Sequence, residues 1–178
     1  MHEVRRFSGE LCSYSEELNK IVSKNDPVDR INNLGETIFH TSGMLSARLG
    51  FTDIELNPLT IQKQIRLRSG IYRKFEKSQR ILSQKAKYRN IKIIFEGTSY
   101  FEIDAIQAFE LVPFVILDNS IKYSPDEQPV YVRFEDKGNN NLIVTISSLG
   151  PTIELNEKDR LFDRGFRGIN AKKIINRW

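Results

Sequence analysis

A single cysteine, Cys12, stands among the 178 residues of this chain, so no intramolecular disulfide framework is possible. It follows Leu11 in a segment that reads as helical, where a partly buried, inert thiol is the expected state. No run of apolar residues approaches the length of a membrane span, and the N-terminus has no signal-peptide pattern. The expectation is a soluble, cytoplasmic chain with no membrane segment. Although the formal net charge is +4, no block of five or six like charges occurs, and Lys and Arg are interleaved with Asp and Glu along the helical segments. That pattern describes a solvated surface and leaves out nucleic acid as a partner. Internal repeats and low-complexity stretches are also lacking. With 39% hydrophobic and 28% charged residues, the composition suits one compact domain plus a small helical appendage.

What is present begins with strong periodicity. Val4, Phe7, Leu11, Tyr14, Leu18 and Ile21 recur at alternating steps of three and four, the core seam of a packed helix. Lys24-Asn25-Asp26-Pro27 interrupts it. Asp26 suits an N-cap and Pro27 a first helical position, so a second helix is predicted from there, with a seam of Ile31, Leu34, Ile38, Thr41 and Leu45 ending near Gly50. The short connection makes the two helices antiparallel. Each carries one apolar stripe, and a second copy of the hairpin would complete a four-helix bundle, so a homodimer is expected.

From Asn57-Pro58 the pattern changes. Leu59–Ile61 reads as extended and leads into a predicted helix from Gln62 to Arg89, with Ile65, Ile71, Phe75, Ser78 and Leu82 inward and Gly70 as a weak point. Ile91–Phe95 and Tyr100–Ile103 read as strands. Asp104 is placed as the cap of a helix through Lys122, kinked or divided at Pro113. Val130, Val132 and Phe134 alternate, as do Leu142, Val144 and Ile146, and Gly138-Asn139-Asn140 between them signals a hairpin. Helices combined with a largely antiparallel sheet predict an α+β chain: a helical hairpin over 1–52, then a two-layer α/β sandwich over 58–178.

The sharpest stretch is Ile116-Leu117-Asp118-Asn119-Ser120-Ile121-Lys122-Tyr123-Ser124-Pro125. It resembles the N-box of the sensor histidine kinases, whose ATP-binding domain has the Bergerat fold shared with gyrase and MutL. An Asn oxygen at a helix end suits Mg²⁺, a cation that prefers oxygen ligands and keeps waters and phosphates in its shell. A Lys three residues on lies on the same face, where its charge meets phosphate. The resemblance implies Asn119 for Mg²⁺, Lys122 for an ATP phosphate and Tyr123 for the adenine. Relatives that hydrolyse ATP carry a Glu four residues before the Asn; here that residue is Val115, which fits transfer to a protein nucleophile better.

Val144-Thr145-Ile146-Ser147-Ser148-Leu149-Gly150-Pro151-Thr152 is similar to the family's first glycine box, in which an Asp-x-Gly-x-Gly run follows a strand. Ser148 stands in the place of the adenine-reading Asp, and Thr152 in that of the second Gly. A hydroxyl accepts a hydrogen bond without the charge assistance of a carboxylate. The resemblance makes Ser148 and Gly150 nucleotide-binding. Arg160–Gly168 resembles the phenylalanine-containing box that precedes the lid over ATP, and implies that Arg164 or Arg167 reaches the phosphates. The family's next element, a Gly-x-Gly-Leu box, does not occur between Ala171 and Trp178, which leaves the phosphate cradle incomplete within these residues.

His2-Glu3-Val4-Arg5-Arg6-Phe7 sits where the family has its phosphoacceptor box, His-Glu-x-x-(Thr/Asn)-Pro. The resemblance implies His2 as nucleophile and Glu3 as base, with Arg6 and Phe7 departing from the pattern. His40, the only other histidine, reads as a surface or interfacial residue. The implied function is that of a sensor histidine kinase core, soluble or the cytoplasmic part of a larger sensor. It would bind Mg·ATP, phosphorylate a histidine and pass the phosphate to a response regulator receiver domain. The alternative is a degenerate dimeric adaptor that keeps the fold without the chemistry.

Overall fold

A computed structural model describes residues 2–24, 27–138, 140–161, 163 and 165–175, without the side chains of 2, 3 and 173–175. By internal contacts the chain divides into two units, one comprising 1–83 and 99–115, the other 84–98 and 116–178.

The first unit opens with helices α1 (His2–Ser23) and α2 (Val28–Leu56). The predicted seam is buried through Thr41, beyond which Met44 and Ala47 are buried and the predicted Leu45 only half so. Phe7, Tyr14 and Ile21 from α1 and Leu34, Thr41, Met44 and Ala47 from α2 are buried, and Leu18, Ile31 and Ile38 pack beside Tyr14, Ile21 and Leu34. Arg30 pairs with Glu17 across the hairpin at 3.3 Å. Three expectations need correction here. Cys12, next to the half-buried Leu11, is exposed. Pro27 precedes the helix as its extended N-cap residue (φ −52°, ψ 136°) rather than occupying its first turn, and Asp26 lies outside the described residues. The helix also runs six residues past Gly50, to Leu56, and the Asn57 N–H closes it on the Asp53 carbonyl.

The predicted helix from Gln62 is the largest departure. Pro58–Lys63 forms a 3₁₀ turn, not an extended piece, with Asn57 Oδ1 accepting from the Leu59 N–H. Leu67–Gly70 is a strand, β1, and only Ile71–Tyr88 is helical, α3. β1 pairs antiparallel with β3 (Glu102–Ala105), Leu67 opposite Ala105 and Gly70 opposite Glu102, and Arg68 reaches Glu102 at 2.6 Å. A partner more than thirty residues downstream decides this segment, and local periodicity does not report it. Ile65, placed inward by periodicity, is instead 80% exposed. Asp104 likewise lies in β3 rather than capping a helix. After a short 3₁₀ turn, α4 (Leu111–Tyr123) begins late enough to hold Pro113 in its first turn. No intrahelical N–H bond is due there, so the helix is neither kinked nor divided.

Beneath the start of α4 lies a compact charge cluster. Glu110 receives Lys74 Nζ at 2.7 Å and Lys77 Nζ at 2.5 Å. Burial alone would push its carboxyl up, but the two lysine hydrogen bonds and charges outweigh it and hold the group below the usual carboxylate range. A depressed carboxyl contributes stability that is full above its ordinary range and is lost as pH falls through that range and below. Glu110→Gln is therefore expected to lower stability at neutral pH by about 1–3 kcal/mol. It should also flatten the acid limb of a stability–pH curve. Thermal unfolding of both proteins between neutral and acidic pH checks this; parallel curves would remove the cluster from the account.

The second unit is built on a sheet ordered β2-β4-β5: β2 (Ile93–Glu96), β4 (Val130–Asp136) and β5 (Leu142–Ser147). β4 and β5 form the predicted antiparallel hairpin, Phe134 opposite Val144 and Tyr131 opposite Ser147. β2 runs parallel to β4, Phe95 opposite Val132, so this sheet is mixed. Val130, Val132 and Phe134 of β4 are buried, as are Leu117 and Ile121 of α4. Gly97 has φ +76°, and a Cβ there would come within 2.7 Å of the Phe134 carbonyl oxygen, so only glycine lets the chain leave β2 this way.

Candidate functional site

Helix α4 ends with a buried apolar side and accessible polar side chains. Leu117 and Ile121 are fully buried, while Asn119 is exposed and Lys122 and Tyr123 are half-exposed. The next segment, Ser124-Pro125, cannot continue the helix favourably, so the polar side chains collect at its last turn. Lys122 Nζ lies 5.3 Å from the centre of the Tyr123 ring, a cation over an aromatic face. Asp118, beside Asn119, points the other way and pairs with Lys85 at 2.5 Å.

A cleft of about 570 Å³ opens beside this helix end. Asn119, Lys122 and Tyr123 line it from α4. Ser148 and Gly150 line it from the segment that leaves β5, and Arg167 from the segment before α5 (Ile169–Ile175). Six of the residues singled out from sequence thus share one cavity. Ser148 is exposed, and so is Arg167. Arg164 lies outside the described residues, as do the side chains of His2 and Glu3, whose backbone opens α1.

Sequence reasoning missed the residue that organises the far wall. Glu157 is buried, and its carboxylate accepts from the Ile169 N–H at 2.8 Å and from the Glu154 N–H at 3.4 Å. Glu154 and Glu157 together make a capping box on the 3₁₀ turn Leu155–Arg160. The signal was available as an acidic residue at each end of a three-residue step. Asn170 adds a bond to the Thr152 carbonyl at 2.9 Å and one to Glu154 at 3.1 Å. These bonds join the loop after β5 to the start of α5, so two sides of the cleft are tied by one carboxylate and one amide.

The donor chemistry fits Mg²⁺ carried by a nucleotide. Asn119 lines the cleft and carries one amide oxygen, and the Glu157 oxygens are already engaged with backbone N–H groups. Among the described residues no group of three His, Cys, Asp or Glu side chains is placed to hold a metal ion. A single protein oxygen with phosphate and water completing the shell is how Mg²⁺ is held beside nucleotides.

His40 lies on α2, half-buried, its ring 5.7 Å from that of Phe39. Burial, then the charges of Lys77 and Arg80, lowers its pKa below the usual imidazole range. No described helix is long and apolar enough to cross a membrane.

No family model matches this sequence, and no curated protein matches it in sequence. Solved structures do match in fold. The catalytic domain of the histidine kinase ThkA is 17% identical, over 63% of this chain and 78% of that one, with a TM-score of 0.52. The histidine kinase AdeS of Acinetobacter baumannii is 22% identical over 98% of this chain and 84% of that one, with a TM-score of 0.50. ThkA in complex with the response regulator protein TrrA matches at 18% identity and a TM-score of 0.54, over 97% of this chain and 50% of that one. The chain has the α+β fold of the sensor histidine kinases, a helical hairpin followed by an α/β region.

Proposed function

We propose that this chain is a sensor histidine kinase core that binds Mg·ATP in the cleft of its second unit and phosphorylates His2. The observation that carries the reading is the meeting of Asn119, Lys122, Tyr123, Ser148, Gly150 and Arg167 around one cavity. Residues 116–125 and 144–152 are separated in sequence by a strand and a turn, and their side chains line the same cavity. In this reading residues 1–52 are the dimerisation and phosphotransfer hairpin and 58–178 the ATP-binding domain.

Each side chain has a task that its chemistry allows. Tyr123 offers its ring to the adenine, and Ser148 a hydroxyl to the adenine amino group. Lys122 and Arg167 face the phosphates as cations, and Asn119 supplies its amide oxygen to the metal. Mg²⁺, when bound, would neutralise phosphate charge while the bond from the terminal phosphorus to the bridging oxygen breaks and ADP leaves. His2 attacks that group through an imidazole nitrogen, with Glu3 orienting the ring or taking its proton. Val115, four residues before Asn119, has no acid–base chemistry, which favours a protein nucleophile over water.

ThkA is known in complex with a response regulator protein, and a receiver domain is the partner we assign here as acceptor of the phosphate. Val22, Val28, Phe39 and Leu49 remain exposed on the hairpin, an apolar surface that a second copy would cover in a homodimer. This assignment places the chain in the cytoplasm, alone or as part of a larger sensor.

The test is to incubate the chain with Mg·ATP and to assay for acid-labile, base-stable phosphate, alongside calorimetry of nucleotide binding. Binding with phosphate that disappears in His2→Gln supports the kinase. Binding with no phosphohistidine supports nucleotide sensing without transfer. An absence of both overturns the reading in favour of an adaptor that has kept only the fold, as the replacement of a carboxylate by Ser148 would suggest.

A further inference from the structure

The end of α4 is held from outside by one buried cation. Arg89 follows α3, where the chain turns back at Asn90 (φ 52°) and the Ile91 N–H bonds the Ala86 carbonyl. That left-handed reversal is a common helix ending, and it aims the next side chains away from the helix axis. The Arg89 side chain is only 10% exposed. Its Nη1 donates to the carbonyl oxygen of Ile121 and, at 3.1 Å, to that of Lys122. Its Nη2 donates to the Ser124 carbonyl at 2.7 Å, and Nε pairs with the Asp126 carboxylate at 2.7 Å. The Arg89 carbonyl in turn accepts from the Glu127 N–H at 3.1 Å. One turn earlier on α3, Lys85 holds Asp118.

The last carbonyls of a helix have no partner within it and carry the negative end of its dipole. A guanidinium meets both needs, and its flat fork reaches several acceptors at once, which an ammonium cannot do. The three carbonyls that Arg89 engages bracket Lys122 and Tyr123, and Asn119 lies one turn before them. Each residue of an α-helix advances about 100° around the axis. Unwinding of this last turn therefore turns Lys122 and Tyr123 out of the cleft and loosens the helical bonding that holds Asn119, one turn before.

We propose that Arg89 is a positioning residue for the nucleotide cleft: by clamping the end of α4 it fixes the directions of Asn119, Lys122 and Tyr123. It touches no nucleotide itself, and the proposal rests on the nucleotide reading of the cleft. A cap with only a structural role would lower stability and leave the affinity of the folded protein unchanged.

The experiment compares the full chain with Arg89→Lys, Arg89→Ala and Asp126→Ala at a temperature where circular dichroism shows each to be folded. Mg·ATP affinity is read by calorimetry, and amide hydrogen exchange is followed over residues 119–124. Arg89→Lys keeps the charge and loses the fork. It is expected to weaken Mg·ATP binding about tenfold, or ~1.4 kcal/mol, and to speed exchange selectively over 119–124. Asp126→Ala, which removes only the outer pair, should stay within about twofold of the parent. Parental affinity in Arg89→Lys overturns the positioning role. Should Arg89→Ala fail to fold, Arg89→Lys decides alone. Should the parent bind no nucleotide, the nucleotide reading falls, and exchange over 119–124 still decides whether Arg89 orders this turn.

Discussion

Asn119→Ala is expected to lower the affinity for Mg·ATP by about two orders of magnitude, or ~2.7 kcal/mol. The reason lies in the donor set of the cleft. Asn119 is the side chain there with an amide oxygen exposed at the helix end, while Glu157 spends its oxygens on backbone N–H groups. Removing the amide would deprive a bound metal of the protein oxygen that the proposed function assigns to it. Because Asn119 is exposed, the substitution should change stability by no more than about 0.5 kcal/mol. Loss of binding would then be a loss of recognition and not of fold. Asn119→Asp retains an oxygen and should keep part of the affinity. Calorimetry with and without Mg²⁺ separates the cases: if the alanine variant binds as the parent does, Asn119 is not the metal ligand.

Phe114→Ala should cost about 3–5 kcal/mol of stability, the range for truncating a buried aromatic residue. Phe114 is 2% exposed, and its ring lies 5.2 Å from that of Phe7, which is wholly buried. The Arg6 guanidinium lies 5.3 Å from the Phe114 ring centre and 5.1 Å from that of Phe7. This aromatic pair joins the start of α1 to the start of α4, and a domain of ordinary stability can lose most of its margin there. A double-mutant cycle with Phe7→Ala should return a coupling of about 1 kcal/mol. Urea unfolding of the two single variants and the double variant measures both quantities. A cost for Phe114→Ala below about 1 kcal/mol would mean that the pocket collapses around the smaller side chain.

The two features that periodicity alone could deliver were legible before the structure. The seam from Phe7 to Ile21 and from Ile31 to Leu45 gave both hairpin helices, and strict alternation gave β4 and β5. Asn119, Lys122 and Tyr123 were legible for another reason: residues 116–125 are a contiguous run whose polar chemistry collects at one helix end. What could not be read is what depends on distant partners. Leu67–Gly70 looks like the continuation of a helix until Glu102–Ala105 pairs with it. Asp104 looks like a cap for the same reason. The parallel pairing of β2 with β4 leaves no local trace, nor does the clamp of Arg89 on carbonyls more than thirty residues away. A backbone carbonyl has no sequence identity, so an arginine that serves carbonyls cannot be recognised by any partner residue.

The parallel pairing of β2 with β4 also governs how this protein can be cut. The cleft-bearing unit is not one stretch of chain but two, 84–98 and 116–178, with residues 99–115 belonging to the other unit. No single boundary excises it. A fragment that begins at β4 loses the strand that bonds its edge, together with Arg89, and a nick anywhere in 99–115 separates two strands whose hydrogen bonds hold the sheet together. Fragments intended to retain the cleft must therefore include α3 onward, and rearranged versions will tolerate new termini in the hairpin turn between β4 and β5 better than in the crossover.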